Sequence, residues 1–149
     1  LMSLDNIDVI VWGARGCPGA IRSPEMYGWI DADEFGVVKS ISVKHPLSNP
    51  STDPIVAGTF TFKRLGDFLK SVDHMKNRQA LVNGEYYVDT VINDAITLGL
   101  RCVIFEIDYY ICWGTPNDLR TFEYWQSCFD GWDSHPYTLE KDKNVLSNV

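Results

Sequence analysis

The chain lacks any apolar run long enough to cross a membrane, and its uninterrupted hydrophobic stretches are only strand-sized. It also lacks a basic excess, since 13 lysines and arginines face 20 aspartates and glutamates for a formal net charge of −7. Because contact with nucleic-acid phosphates requires a basic surface, we do not expect nucleic acid as a partner. We do not expect a membrane as a partner either, since no apolar run is long enough to span one. An anionic small ligand would have to be held by a few local basic side chains.

Metal-ligand spacing is absent as well. The chain has no Cys-x-x-Cys pair, and its cysteines are far apart: Cys17, Cys102, Cys112 and Cys128. The histidines are equally dispersed, so we expect no zinc site. Reduced, mostly buried thiols are typical of a cytoplasmic protein, which is the location we expect. Asp5 and Asp8 interrupt the only apolar stretch near the start, which predicts no signal peptide there.

Strands and helices alternate along the sequence. At 149 residues, with 45% hydrophobic residues, the chain is long enough for one domain with a real core. Five segments predict strands, the second and third forming a hairpin closed by Gly36: residues 7–12, 27–31, 37–43, 56–62 and 101–107. Apolar residues at helical spacing predict helices over 65–75 and 88–96, the second ending near Gly99. We therefore predict an α/β fold with a mixed sheet flanked by helices, in which residues 7–12 form an inner strand.

Two further segments have distinct local patterns. The glycine-rich stretch 13–19 lacks a Gly-Lys-Ser/Thr ending, so we interpret it as a flexible loop that presents Arg15 and Arg22. Residues 109–113 alternate like a strand and run through a Gly114 turn into a helix. Thr115 is suited to cap that helix, with Pro116 at its first position. Ligands of open α/β sheets commonly bind at such a corner, although an ordinary strand–helix connection has the same pattern.

Five motifs in sequence order resemble the sugar-1-phosphate nucleotidyltransferase family. They are Pro24-Glu25-Met26-Tyr27-Gly28 with the following hairpin, Val43-Lys44-His45-Pro46, Gly58-Thr59-Phe60, the segment from Asn83-Gly84-Glu85 to Asp89, and Cys112-Trp113-Gly114-Thr115-Pro116. The resemblance is to the C-terminal, sugar-phosphate-binding portion of the family. It implies a partial Rossmann-like nucleotide-diphospho-sugar transferase fold over residues 1–129, followed by a polar C-terminal tail at 130–149.

Members of the family join a nucleoside triphosphate and a sugar 1-phosphate to give an NDP-sugar and pyrophosphate, with the help of Mg²⁺. The family's glycine-rich nucleotide loop and first metal-binding aspartate are absent from this sequence and would lie upstream of Leu1. We therefore expect the chain to be part of a longer cytoplasmic enzyme, of the kind that supplies sugar nucleotides for bacterial surface polysaccharide. The portion itself is expected to bind no Mg²⁺ and to be inactive alone. Homo-oligomerisation, the sugar and the base stay open.

The resemblance also implies a set of substrate-binding residues, with no catalytic residue and no metal ligand among them. We expect Lys44 to bind phosphate, Glu85 and Asp89 to accept sugar hydroxyls, two glycines to let backbone approach the sugar, and one aromatic ring to stack on it: Lys44, Glu85, Asp89, Gly28, Gly58 and Trp113. Each position has a plainer alternative. The lysine could be a solvated surface residue, the acids could complement a helix end, the glycines could serve a hairpin or bulge, and the tryptophan could pack in the core.

Two positions depart from the family pattern. Val43 replaces a glutamate that contacts sugar hydroxyls, and Cys112 replaces an aspartate that shares Mg²⁺, an ion that prefers oxygen ligands to thiols. These losses favour an alternative function, a degenerate, non-catalytic nucleotidyltransferase-like module for binding or regulation. The intact order of the other motifs favours the enzyme.

Overall fold

A five-stranded mixed sheet organises the first part of the molecule. The computed structural model describes residues 6–130, and its chain divides into two units, Leu1–Tyr110 and Ile111–Val149. The strands of the first unit are β1 Val9–Ala14, β2 Gly28–Ala32, β3 Val38–Val43, β4 Ile55–Phe62 and β5 Cys102–Glu106. Their order across the sheet is β3-β2-β4-β1-β5, in which β1 and β5 are parallel and the other neighbours antiparallel. The predicted inner strand is confirmed, since β1 has a neighbour on each side.

Helices cover both faces of this sheet. They are α1 Pro18–Arg22, α2 Leu65–Asn77 and α3 Val88–Thr97, with a short 3₁₀ turn at Pro24–Met26. On one face Ile92 and Ala95 of α3 join the core residues of the strands, and α2 packs against α3. On the other face Ala20 of α1 packs with Trp29 and Ile55. The predicted α/β class, a mixed sheet flanked by helices, is confirmed.

The second unit contains one described helix, α4 Pro116–Asp130. Thr115 caps it as predicted, because its hydroxyl oxygen accepts a hydrogen bond from the N–H of Asp118 at 3.2 Å and its hydroxyl donates to the Asp118 carboxylate at 2.7 Å. The polar tail predicted for 130–149 lies outside the described residues beyond Asp130.

Two local predictions are wrong. Residues 109–113 form no strand, since β5 ends at Glu106 and no neighbouring strand pairs with them in the described part of the chain. Their alternation instead leaves Tyr109 and Ile111 exposed. The predicted glycine-rich loop is also shorter, because residues 13 and 14 belong to β1 and residue 18 starts α1. Arg15 does not project freely from it, since its guanidinium makes hydrogen bonds of 2.8–2.9 Å to the Glu106 carboxylate.

Candidate functional site

Lys44 stands at the end of β3, where the chain turns sharply. Its backbone has a φ of 63°, a left-handed conformation that costs a non-glycine residue about 1 kcal/mol. The backbone N–H donates to the carbonyl of Tyr27 at 3.0 Å, which holds the turn in place. The half-buried side chain donates from Nζ to the Met26 carbonyl at 3.4 Å, and Nζ lies 5.6 Å from the centroid of the Tyr87 ring. The turn therefore holds an ammonium group against an aromatic ring.

Asp89 is brought to the same corner by the first turn of α3. Its carboxylate rests on Gly28, where a Cβ atom would collide with Oδ2, so the site requires a residue without a side chain there. Burial raises the pKa of the Asp89 carboxyl above its ordinary value, while its own backbone N–H and the charge of Lys44 act in the opposite direction. The charge of Lys44 thus acts on an acid that lies over the start of β2.

Tyr87 and Glu85 complete this corner. The Tyr87 hydroxyl donates to Glu85 Oε2 at 3.0 Å, and this hydrogen bond raises the pKa of the Tyr87 hydroxyl. Asn83 and Gly84, both with positive φ, form a tight turn in which Val82 and Glu85 exchange backbone hydrogen bonds. The turn sets the position of Glu85 before α3 begins. Sequence reasoning did not place Tyr87 beside Lys44, because nothing in the spacing of two residues 43 positions apart predicts that contact.

We define the Lys44 corner as a group of five residues: Gly28, Lys44, Glu85, Tyr87 and Asp89. The structure brings four of the six predicted site residues to it. It offers one ammonium for a phosphate, two carboxylates that can accept hydrogen bonds from hydroxyls, and one aromatic ring. Such a set is suited to binding a phosphorylated polyol, and it assembles no nucleophile with a base.

The other two predicted residues lie elsewhere. Gly58 lies in β4 at the β-bulge where the register with β1 shifts. Its φ of 84° is a conformation that glycine adopts readily, so the bulge accounts for the glycine. Trp113 belongs to the second unit, where its exposed ring packs on Phe122 with centroids 4.9 Å apart. A binding role for either stays a prediction.

Among residues 6–130, no group of three or more His, Cys, Asp or Glu side chains is placed to hold a metal ion. The Cys112 thiol accepts a hydrogen bond from the N–H of Gly114 at 3.4 Å. The described residues therefore offer no ready oxygen cluster for Mg²⁺. Within the same range, none of the helices combines the length and the apolar character needed to span a bilayer.

A buried carboxylate that sequence reasoning missed links α2 and α3. Asp94 on α3 is 1% exposed and accepts hydrogen bonds from Arg78 Nε at 2.6 Å and Nη2 at 2.8 Å, while His74 Nδ1 lies 2.6 Å from Oδ1. Burial alone would raise the pKa of the Asp94 carboxyl, but the hydrogen bonds from Arg78 and His74 outweigh it and lower that pKa. His74 and Arg78 lie one turn apart, and this spacing was the available signal.

Solved structures share the fold described above. The nucleoside-diphosphate-sugar pyrophosphorylase from Vibrio cholerae RC9 matches with a TM-score of 0.63 and 20% identity, over 82% of this chain and 49% of that one. A CMP:2-keto-3-deoxy-manno-octonic acid synthetase in complex with CTP matches with a TM-score of 0.52 and 11% identity, over 85% and 52%. No family model and no curated protein sequence matches the chain.

These likenesses define the class of fold. At such low identities they show the architecture alone, which is the α/β nucleotide-diphospho-sugar transferase fold, and the resemblance to nucleotidyltransferases is confirmed at that level. The chain spans about half the length of each of these two structures.

Proposed function

We propose that this chain is the sugar-phosphate-binding portion of a nucleotidyltransferase that joins a nucleoside triphosphate and a sugar 1-phosphate. The observation that carries the proposal is the Lys44 corner, where a half-buried ammonium, two carboxylates and an aromatic ring converge. The shared fold and the order of the five motifs support the same class of reaction.

The chemistry assigned to the longer protein is a phosphoryl substitution. A phosphate oxygen of the sugar 1-phosphate attacks the α-phosphorus of the triphosphate, the bond from that phosphorus to the bridging oxygen breaks, and pyrophosphate leaves. Catalysis of this kind depends on positioning and charge neutralisation more than on covalent groups. Lys44 would hold the attacking phosphate, and Glu85 and Asp89 would orient the sugar through its hydroxyls.

The remaining assignments also belong to this proposal. Mg²⁺ would bind to upstream oxygens and substrate phosphates in the longer protein, because the described residues do not provide its ligands. We assign the longer protein to the cytoplasm and to sugar-nucleotide supply for surface polysaccharide.

A charge-removing variant tests the phosphate assignment. Titrating the chain with a panel of hexose 1-phosphates by isothermal calorimetry should show Lys44→Ala weakening binding by about ten- to hundred-fold, the loss of one charged hydrogen bond. Binding of the unphosphorylated hexoses should change little.

Lys39→Ala is the matched control, since Lys39 is an exposed lysine of β3, the strand that precedes Lys44. Equal affinities in the parent and in Lys44→Ala would remove Lys44 from the site. A chain that binds no member of the panel would contradict the proposed sugar-phosphate site.

A second candidate function rests on Cys112. Because a thiol stands where the family has a metal-binding carboxylate, a non-catalytic module that binds a sugar phosphate for regulation would keep the Lys44 corner and lose turnover. Assaying pyrophosphate release by the longer protein separates the two functions.

A further inference from the structure

A cleft of about 520 Å³ lies along the outer edge of β3, bounded by that strand, α3 and the segment that connects α2 to α3. Its lining includes Ser42, Val43, His45, Arg78, Thr90 and Asn93, none of which belongs to the Lys44 corner. The volume is ample for a small organic ligand. The cleft is therefore a second candidate site in the first unit.

Thr90 gives this cleft a buried polar group in need of a partner. The residue is 6% exposed, and its hydroxyl oxygen has no hydrogen-bond partner among the described residues. A buried hydroxyl without a partner is destabilising, because it has lost its bonds to water. A ligand in the cleft can supply what the hydroxyl lacks.

The same edge of β3 already binds one carboxamide, from its own chain. The N–H of Ile41 donates to Asn93 Oδ1 at 2.7 Å, and Asn93 Nδ2 donates to the Ile41 carbonyl at 2.8 Å. The side-chain amide thus takes the place that a neighbouring strand would occupy. One planar group with a donor and an acceptor side by side satisfies both backbone groups.

The backbone of Val43 faces outward in the same way as that of Ile41, about 7 Å further along the strand. Val43 pairs with Gly28, and the adjacent pair is hydrogen-bonded, since Lys44 N–H donates to the Tyr27 carbonyl. The ladder alternates, so the N–H and C=O of Val43 point away from β2, as those of Ile41 do. Thr90 lies three residues before Asn93 on α3 and hence on the same helix face. Thr90 and Val43 both line the same cleft.

We propose that this cleft binds a small neutral molecule through a planar edge that carries a hydrogen-bond donor beside an acceptor. The edge pairs with the N–H and C=O of Val43 as Asn93 pairs with Ile41, and the Thr90 hydroxyl makes a third hydrogen bond. A primary carboxamide and the amino edge of an adenine ring share this chemistry. No carboxylate lines the cleft, and the charge of Arg78 is already paired with Asp94, so the site does not require a charged ligand.

Two probes distinguish the sources of that chemistry. Nicotinamide provides the carboxamide and adenosine the amino edge, and each is titrated into ¹⁵N-labelled chain while the amide resonance of Val43 is followed. We expect at least one probe to shift that resonance saturably in the millimolar range. The dimethylated analogue of that probe, N,N-dimethylnicotinamide or N6,N6-dimethyladenosine, lacks the donor and should not shift the Val43 resonance.

Thr90→Val removes the hydroxyl with little change in shape and should weaken binding of the active probe about five-fold, as for one neutral hydrogen bond. Thr97→Val is the control, because Thr97 is exposed one helical turn beyond Asn93, does not line the cleft and donates its hydroxyl hydrogen to the Asn93 carbonyl. The proposal is overturned by the absence of a saturable Val43 shift with both probes. Equal binding of a dimethylated analogue, or unchanged affinity in Thr90→Val, overturns it as well.

Discussion

At the scale of single residues, Gly28 has the tightest steric constraint in the Lys44 corner. A methyl group there would meet the Asp89 carboxylate and lie 3.3 Å from Val56 Cγ2. We expect Gly28→Ala to lower the free energy of unfolding by about 1–3 kcal/mol, as overpacking does, and to push Asp89 away from Lys44. Urea denaturation measures the first effect.

Gly66→Ala is the matched control for this substitution. Gly66 is the second residue of α2, and an added Cβ would meet nothing within 4 Å. Alanine there should raise the free energy of unfolding by about 0.5–1 kcal/mol, because it restricts the unfolded chain. If the two variants behaved alike, the close approach of Asp89 to Gly28 would not hold in solution.

At the scale of elements, α3 carries two aspartates whose charges affect stability in opposite directions. Burial raises the pKa of Asp89, so the ionised form is disfavoured in the folded state. The hydrogen bonds of Arg78 and His74 overcome burial and lower the pKa of Asp94, so its ionised form is favoured there. The folded state thus favours the protonated form of Asp89 and the ionised form of Asp94, although both residues lie on the same helix.

The prediction is a pair of pH profiles. Asp89→Asn should raise the free energy of unfolding at neutral pH, with the gain fading as the pH falls below the Asp89 pKa towards the ordinary value of about 3.9. Asp94→Asn should lower it by about 3 kcal/mol at neutral pH, with the loss shrinking as the pH falls through the lowered Asp94 pKa. Denaturant melts from pH 7 to pH 3 measure both. Parallel profiles for the two variants would contradict these opposite signs.

Elements with strong local patterns were the ones that could be predicted from the sequence. The helices α2 and α3 and all five strands of the sheet were predicted close to their observed bounds, because apolar periodicity reports burial against a sheet. Residues 109–113 have the same alternation but no neighbouring strand, and alternation alone does not create one. Asn93 interrupts the apolar stripe of α3. Its hydrogen-bond partner, Ile41, is 52 positions away, so no local pattern in the sequence predicts the contact.

At the scale of the whole molecule, the proposed function gives the Lys44 corner a sugar phosphate to bind and assigns the nucleotide to other parts of a longer protein. We expect this chain alone to release no pyrophosphate when incubated with each common triphosphate, Mg²⁺ and a panel of sugar 1-phosphates. The glycine-rich nucleotide loop and the first metal-binding aspartate of the family have no counterpart in the sequence. A coupled pyrophosphate assay measures this, and robust turnover would contradict the expectation that the chain is only a portion of the enzyme.

Asn93 has a consequence for solubility. Unpaired backbone groups on an outer strand invite strands of other molecules, which is a common start of aggregation. On β3, the Asn93 amide is hydrogen-bonded to the backbone N–H and C=O of Ile41. At the opposite edge of the sheet, the Gly36 carbonyl accepts a hydrogen bond from the N–H of Ile104 at 2.9 Å. Each outer strand is thereby blocked by its own chain at one central position. A second molecule that tried to extend the sheet would first have to displace a side-chain amide on one side or a hairpin tip on the other.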